Sequence, residues 1–345
     1  MNQLWKPSKE RIGNSCLTDF AKKAEHLFDI ELPDYDAIHK WSVDRPDQFW
    51  SHAHNHLGLI SEIGEQVLTT GANLYDSVFF PDSSINIAQN FLKRNDDTDA
   101  IVWRDELGNG SKLTWSELND LVSKLQQALL GLGVESGDRI AAWLPNRPET
   151  IAVMIASASI GAVFTSASPD FGAKGLLDRF TQAAPKVLFV TDGYFYGGKW
   201  FSCLDKLHEV EAGLPTLEQT IIVPYAHKGR SKEEAQDPHP QTLWSDFLKT
   251  YSPKAIDFPS HSFDHPWYIL YSSGTTGKPK CIVHRSGGVL LKHLVEHRLQ
   301  SDIKAGDRVF YYTTTGWMMW NWLVSALASQ ATVILYDGSP FYPNP

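Results

Sequence analysis

The chain has 345 residues, 42% hydrophobic and 21% charged, a composition typical of a globular protein whose core needs no disulfide or metal. Its formal net charge of -9 leaves no excess of lysine and arginine to neutralise a phosphate backbone, which excludes nucleic acid as its general partner. The three cysteines, Cys16, Cys203 and Cys281, are too widely spaced for a disulfide framework or a metal-binding pattern.

The N-terminal region, up to about residue 75, shows helical patterns rich in aromatic residues such as Trp41 and Trp50, with no alternation of strands and helices. We therefore predict a helical N-terminal extension. The first residues lack the apolar run of a signal peptide, which together with the cysteine usage favours a cytoplasmic location.

Strands and helices alternate from residue 113 onward. Thr114 and Glu117 form the pattern of a capping box, in which each side chain satisfies a free backbone N–H at the start of a helix. This alternation predicts an α/β fold, with a mainly parallel sheet, helices on both faces and ligands at the carboxyl ends of the strands. The predicted strands cover residues 138–144, 162–166, 186–190 and 268–271, and the intervening helices begin near residues 114, 148 and 176.

The segment 271–280, Tyr-Ser-Ser-Gly-Thr-Thr-Gly-Lys-Pro-Lys, is the most informative part of the sequence. It follows an apolar strand, and its glycines, hydroxyls and lysines suit a triphosphate: glycines let backbone N–H groups approach an anion, hydroxyls donate hydrogen bonds and lysines add charge. It is not a P-loop of the Walker A type, because Pro279 follows Gly277-Lys278 and the first glycine of that pattern is replaced by Ser272. A turn without a ligand is the less favoured alternative.

This segment resembles the phosphate-binding signature of the adenylate-forming superfamily, which includes acyl-CoA synthetases, luciferases and adenylation domains. Cys281 stands where that family usually has glycine. The resemblance implies the large N-terminal domain of such enzymes, with residues 1–110 as a helical extension and 111–345 as the first part of the AMP-binding domain. It also implies that Thr276 and Lys280 are catalytic. The residues expected to bind the ATP phosphates are Ser272, Ser273, Gly274, Thr275, Thr276, Gly277, Lys278 and Lys280.

A second resemblance concerns residues 307–322, which are similar to the acyl-pocket segment of acetyl- and acetoacetyl-CoA synthetases. It implies that Trp317, Met318 and Met319 contact the acyl substrate; by composition alone, the methionines could equally be core filler. Residues 309–336 carry no charge and could span a bilayer, but their period changes and polar residues interrupt them. We predict a buried strand–helix–strand unit here and no membrane association.

A third resemblance concerns Tyr196-Gly197-Gly198-Lys199, which stands where acetyl-CoA synthetases have an Arg-Gly-Gly-Arg run that contacts CoA. Lys199 could still pair with a phosphate, and Tyr196 could stack on adenine. A plain surface turn is an equally good interpretation of this run.

His293 and His297 fit the H-x-x-E-H pattern of inverted zinc peptidases. Such a short pattern arises easily in a chain with 13 histidines, and no third ligand is evident. We therefore predict an ordinary solvated helix and no metal site, with a zinc peptidase as a remote alternative.

Together these resemblances imply an acetoacetate–CoA ligase that uses ATP, Mg²⁺ and CoA. They also imply that the glutamate that binds Mg²⁺, the ribose-binding aspartate, the hinge and a C-terminal lysine would lie beyond residue 345. On this basis we expect the 345 residues alone to be inactive. The alternatives are an acetyl- or propionyl-CoA synthetase and a truncated, non-catalytic nucleotide-binding module. No feature of the sequence indicates an oligomeric state.

Overall fold

A computed structural model describes residues 5–225, 240–272 and 277–344. The helices, in chain order, are α1 (Lys9–Gly13), α2 (Cys16–Phe28), α3 (Tyr35–Asp44), α4 (Pro46–His56), α5 (Ile87–Phe91), α6 (Trp115–Gly131), α7 (Pro148–Ile160), α8 (Ala173–Ala183), α9 (Leu207–Ala212), α10 (Trp244–Leu248), α11 (Ser286–Leu294) and α12 (Met318–Val324). The strands are β1 (Leu68–Thr69), β2 (Val78–Phe79), β3 (Ser84–Ile85), β4 (Asp99–Asp105), β5 (Gly110–Thr114), β6 (Arg139–Trp143), β7 (Val163–Ala167), β8 (Val187–Thr191), β9 (Gly193–Tyr196), β10 (Lys199–Ser202), β11 (Gln219–Val223), β12 (Gln241–Leu243), β13 (His261–Ser262), β14 (Pro266–Ser272), β15 (Lys280–Arg285), β16 (Arg308–Phe310) and β17 (Thr332–Asp337).

The main sheet has seven strands in the order β12-β11-β8-β6-β7-β14-β15. Its neighbouring strands run parallel except for the edge strand β15, which is antiparallel to β14. The predicted α/β fold with a mainly parallel sheet is therefore confirmed. Because all strands from β12 to β14 point the same way, their carboxyl ends share one edge of the sheet, where ligands collect in folds of this kind.

Both faces of the main sheet are covered by helices, as the sequence predicts. Ile140 and Ala142 of β6 pack into a core shared with α6 and α7, whereas Ala141 and Trp143 pack into a second core with α8 and α9. This alternation follows from the two-residue period of a strand. It also explains why every residue of β7 and β8 is buried: strands covered on both faces have no solvent-facing side.

The capping box predicted at the start of α6 is present. The Glu117 N–H donates to Thr114 Oγ1 at 3.1 Å, and the Thr114 N–H donates to Glu117 Oε2 at 2.8 Å. Two backbone donors that no helical carbonyl can reach are thereby satisfied. The cap fixes where α6 begins, directly after β5.

A second sheet has the order β16-β17-β4-β5, with β4, β16 and β17 parallel. The uncharged stretch 309–336 forms β16, α12 and β17, so the predicted strand–helix–strand unit is confirmed. No helix among the described residues is long and apolar enough to cross a membrane. β4 lies before residue 110, yet it pairs with β17, which lies far after it. The division of the chain into an extension and a domain after residue 110 stays a prediction.

The N-terminal helices α3 and α4 pack on Phe20 of α2, which is fully buried. Its ring lies 5.6 Å from that of Phe49, 6.2 Å from that of Trp41 and 4.5 Å from that of His52. Aromatic side chains bury large areas, so this cluster accounts for much of the helices' mutual packing.

Candidate functional site

The segment 313–317 crosses the carboxyl ends of β6 and β7. Thr315, which is fully buried, donates its hydroxyl proton to the Leu144 carbonyl at 2.8 Å. Ser166 in β7 donates to the Thr315 carbonyl at 2.6 Å. Gly316 lies so close to the strand end that a Cβ there would be 3.5 Å from the Ser168 nitrogen. These contacts anchor the start of α12 at the edge of the main sheet where ligands are expected.

Asn146 joins the two sheets and was missed by sequence reasoning. Its amide nitrogen Nδ2 donates to the carbonyls of Thr313 and Tyr336, at 3.3 and 3.2 Å, and its Oδ1 accepts the Trp320 indole N–H at 2.8 Å. Its backbone N–H donates to Asp337 Oδ1 at 3.2 Å. The carboxyl ends of β6 and β17, which belong to different sheets, are thereby held side by side.

The three residues expected at the acyl substrate lie at the start of α12. Trp317 is 68% exposed, Met318 is 51% exposed and Met319 is half-buried. Trp320, the next residue, is fully buried. Met318 is therefore not core filler, although its contact with a substrate stays a prediction.

The two ends of the expected phosphate loop are fixed by neighbouring elements. Ser272, the last residue of β14, pairs with Lys280, the first residue of β15. Gln182 of α8 donates to the Pro279 carbonyl at 2.9 Å. Gly277, Lys278 and Lys280 are exposed, as a phosphate-binding role requires. Ser273, Gly274, Thr275 and Thr276 lie outside the described residues.

Arg179 is a second cation near the loop that the sequence did not single out. Its guanidinium lies 4.3 Å from the centre of the Phe171 ring and 5.8 Å from that of Tyr271, the residue that precedes Ser272. Burial lowers the pKa of Arg179, but arginine stays charged at neutral pH. Burial also raises the pKa of Tyr271, whose hydroxyl oxygen lies 2.9 Å from Thr165 Oγ1, so this phenol stays neutral.

The run expected at CoA forms the hairpin of β9 and β10. Tyr196 and Lys199 face each other across Gly197 and Gly198, whose φ angles of 60° and 75° are those of a tight hairpin turn that only glycine adopts easily. The N–H groups of both glycines donate to the Glu106 carboxylate. In this arrangement the hairpin offers a ligand its exposed side chains, Tyr196 and Lys199, and not these two N–H groups.

A polar cluster lies between the hairpin and the second sheet. The Tyr225 hydroxyl donates to Asp337 Oδ2 at 3.1 Å, and the Tyr225 N–H donates to Asp192 Oδ1 at 2.6 Å. Burial raises the pKa of Asp337 to about 6, against the opposing effect of its hydrogen bonds from Asn146 and Tyr225. Arg147 stacks between Trp103 and Tyr225, 4.8 and 4.9 Å from their ring centres.

The histidines of the zinc-peptidase pattern lie in the core. His293 and His297 are 5% and 0% exposed, so the prediction of a solvated helix is wrong at these positions. Their helix packs against residues 325–329, and His293 Nδ1 lies 2.9 Å from Ser325 Oγ. The described residues contain no group of three or more His, Cys, Asp or Glu side chains that could hold a metal ion.

Comparison with known proteins identifies the class to which this fold and loop belong. Residues 88–345 match the family model described as AMP-binding enzyme. The chain therefore belongs to the AMP-binding enzyme family, and the resemblance to adenylate-forming enzymes is confirmed.

Several acetoacetyl-CoA synthetases are among the relatives that the chain resembles. The chain is 47% identical to acetoacetyl-coenzyme A synthetase of Rhizobium meliloti (strain 1021), over 99% of this chain and 52% of the relative. It is 38% identical to acetoacetyl-CoA synthetase of Gallus gallus, with the same coverage. It is 36% identical to malonamoyl-CoA synthetase vrtB of Penicillium aethiopicum, over 99% of this chain and 48% of the relative.

A solved structure shows the same fold. Acetoacetyl-CoA synthetase from Streptomyces lividans superposes with a TM-score of 0.93 at 37% identity, over 100% of this chain and 52% of that chain. The chain thus spans about half the length of the relatives that it matches.

Proposed function

We propose that the protein acts as an ATP-dependent acid–thiol ligase that converts acetoacetate and CoA into acetoacetyl-CoA, with AMP and pyrophosphate as the other products. The observation that supports this most is the similarity to acetoacetyl-CoA synthetases, which extends over 99% of the chain. That span contains the segment 271–280, the acyl segment and the hairpin; Ser272 at the end of β14 and the acyl segment both lie at the carboxyl ends of strands of the main sheet.

In the first step, a carboxylate oxygen of acetoacetate attacks the α-phosphorus of ATP. The bond between this phosphorus and the bridging oxygen breaks, pyrophosphate leaves with its electron pair, and acetoacetyl-AMP forms. Two anions must meet, so the site has to hold positive charge and hydrogen-bond donors near the phosphates. Lys278 and Lys280 would supply the charge, and the hydroxyls of Ser272 and Thr276 would supply donors.

Magnesium would accompany ATP as its usual counter-ion. The described residues contain no group of three or more His, Cys, Asp or Glu side chains that could hold a metal ion, so a magnesium ion here would depend on the phosphate oxygens of ATP for most of its ligands. The charge neutralisation proposed for the segment 271–280 is that of its lysines and hydroxyls.

The acyl segment would distinguish acetoacetate from similar acids. Trp317 and Met318 present apolar surface at the start of α12, which suits the terminal methyl group of acetoacetate. Malonamate has an amide at that position, and an amide without hydrogen-bond partners is costly to remove from water. Malonamate is the second candidate substrate, because a malonamoyl-CoA synthetase is among the relatives.

In the second step, the CoA thiolate attacks the acyl carbonyl carbon and AMP leaves with the electrons of the broken carbon–oxygen bond. The chain's part in this step would be to bind the nucleotide end of CoA. Lys199 would pair with a phosphate as a point charge, and Tyr196 would stack on the adenine. Both side chains are exposed on the hairpin.

The test is a comparison of acids in the complete gene product. We expect kcat/KM for acetoacetate to exceed that for acetate, propionate and malonamate by about tenfold or more. Trp317→Ala should raise the KM for acetoacetate, whereas Trp5→Ala is a matched control because Trp5 is 67% exposed and Trp317 is 68% exposed. Equal use of acetate or propionate would indicate an acetyl-type enzyme. Binding of ATP without adenylate formation from any acid would indicate a non-catalytic nucleotide-binding module.

A further inference from the structure

Glu106 lies in the connection between β4 and β5 and is only 7% exposed. Its carboxylate accepts three backbone N–H groups from two distant parts of the chain. Gly198 donates to Oε1 at 2.7 Å, Gly197 donates to Oε2 at 2.9 Å, and Ser339 donates to the same Oε2 at 2.7 Å. Hydrogen bonds to an ionised acceptor are stronger than those between neutral groups. One side chain therefore ties the hairpin tip to the loop after β17.

The packing around this carboxylate leaves no space for larger residues. A Cβ on Gly198 would be 2.5 Å from Cε2 of Tyr342, so the Tyr342 ring packs directly on the hairpin tip. A Cβ on Gly338, whose φ is +113°, would be 2.7 Å from Cγ of Glu106. Both glycines thus permit the close approach that the three hydrogen bonds need.

The hairpin depends on such contacts because, among the described strands, β9 and β10 pair with each other and with no third strand. In the residue pair next to the tip, the ring centres of Phe195 and Trp200 lie 5.9 and 6.2 Å from that of Tyr225. At its tip, the hydrogen bonds to Glu106 set the orientation of the turn. Tyr196 and Lys199 flank the two glycines directly, so the position of their side chains follows that of the turn.

We propose that Glu106 is a positioning residue for CoA: by holding the hairpin tip, it places Lys199 and Tyr196 where they meet the nucleotide end of CoA. This inference rests on the proposed function, which assigns those two side chains to CoA. A charged side chain binds a phosphate well only when the residues around it hold it close to the geometry of the bound state. Glu106 itself does not touch CoA.

The experiment compares Glu106→Gln, Lys199→Ala and the double variant in the complete gene product. Glutamine keeps the length of the side chain, loses its charge and turns a donor towards at least one N–H group. We expect Glu106→Gln to raise the KM for CoA about tenfold, a loss in keeping with the strength of charged hydrogen bonds. Acetoacetate-dependent exchange of pyrophosphate into ATP, which reports the first step alone, should stay unchanged.

The double variant separates positioning from general damage. If Glu106 acts through the hairpin, the KM for CoA of the double variant should be no higher than that of the worse single variant, because the two changes remove one interaction. Glu106→Asp keeps the charge but shortens the side chain, so its KM for CoA should lie between that of the unchanged protein and that of Glu106→Gln. Glu135→Gln, at an exposed glutamate in the connection before β6, is the control and should match the unchanged protein.

Each outcome decides the matter. A raised KM for CoA in Lys199→Ala with none in Glu106→Gln would overturn the role of Glu106 and leave the proposed function intact. Strictly additive effects of the two substitutions on the KM for CoA would also overturn it. Loss of both pyrophosphate exchange and acyl transfer in both Glu106 variants would show that Glu106 contributes to stability alone. No effect of Lys199→Ala would remove the assignment of the hairpin to CoA, and this inference with it.

Discussion

Lys280 is the first residue of β15 and pairs with Ser272 across the base of the proposed phosphate loop. Its position is therefore set by the ladder between two strands, even though its side chain is exposed. This combination of a fixed backbone and a free ammonium group suits a residue that must meet a phosphate without reorganisation.

We predict that Thr276→Ala combined with Lys280→Ala abolishes acyl-adenylate formation in the complete gene product. Removing one donor to a developing charge typically costs about 100-fold or more in rate, and the pair removes a hydroxyl and a cation together. The measurement is acetoacetate-dependent pyrophosphate release. Lys249→Ala, at an exposed lysine directly after α10, is the control. Unchanged pyrophosphate release in the double variant would refute the assignment.

At the level of single residues, candidate site residues could be predicted where they stand close together in the sequence. Residues whose partners are distant in the chain were missed. Ser272, Lys278 and Lys280 stand in one short run whose composition indicates a phosphate site. Asn146 and Glu106 stand in no such run. The hydrogen bond from Asn146 to Tyr336 spans 190 residues of the chain, and the bond from Gly197 to Glu106 spans 91. Only the folded chain brings these partners together.

Single helices and strands were predictable where one period dominates. The helix α6 shows a clear amphipathic pattern and a capping box, and both are present in the structure. The helix α11 and the π-helical turn that continues it, Val295–Gln300, carry polar residues that suggest solvent, yet both pack against residues 325–329, and His293 and His297 are buried. Tertiary packing determines the environment of these two histidines, and the local sequence pattern does not predict it.

We expect the buried histidines of this helical region to make the stability of the protein depend on pH. Burial lowers the pKa of His297 to about 4 from a usual value of 6.5, so the native state resists a proton that the unfolded chain accepts. The contribution to stability is complete above pH 6.5 and is lost as the pH falls towards 4.

We predict that His297→Leu makes the free energy of unfolding less dependent on pH between 6.5 and 4, by about 2 to 3 kcal/mol. Leucine is of similar size, apolar and unable to take up the proton. The measurement is urea unfolding at several pH values. His26→Leu, at an exposed position of α2, should leave the slope as it is. An unchanged slope in His297→Leu would show that the proton acts elsewhere.

At the scale of the whole molecule, the two sheets meet at their carboxyl ends through Asn146. The order of strands within the main sheet follows from the alternation in the sequence, but the approach of the second sheet does not. β4 and β17 pair although more than 200 residues separate them, and no local pattern specifies such a contact.

We predict that Asn146→Ala lowers the free energy of unfolding by about 2 to 4 kcal/mol, because it leaves the Trp320 indole N–H and two carbonyls without partners. Thermal or urea unfolding gives the value. Asn95→Ala, at an exposed asparagine outside this junction, is the control. A loss no larger than in the control would mean that water replaces the amide without cost, and that the junction does not depend on Asn146.

The antiparallel course of β15 has a consequence for how ATP would be held. Since β14 and β15 run in opposite directions, the strand after the loop leads away from the phosphates, and α11 starts at the other end of the sheet, beside the first residue of β14. The N-terminus of α11 therefore lies away from the proposed phosphate site, whereas in P-loop proteins the helix after the loop directs its N-terminus at the phosphates. In the proposed site, the contribution of the segment 271–280 would come from its own side chains and N–H groups, and a single substitution among them would change the affinity for ATP by a large step.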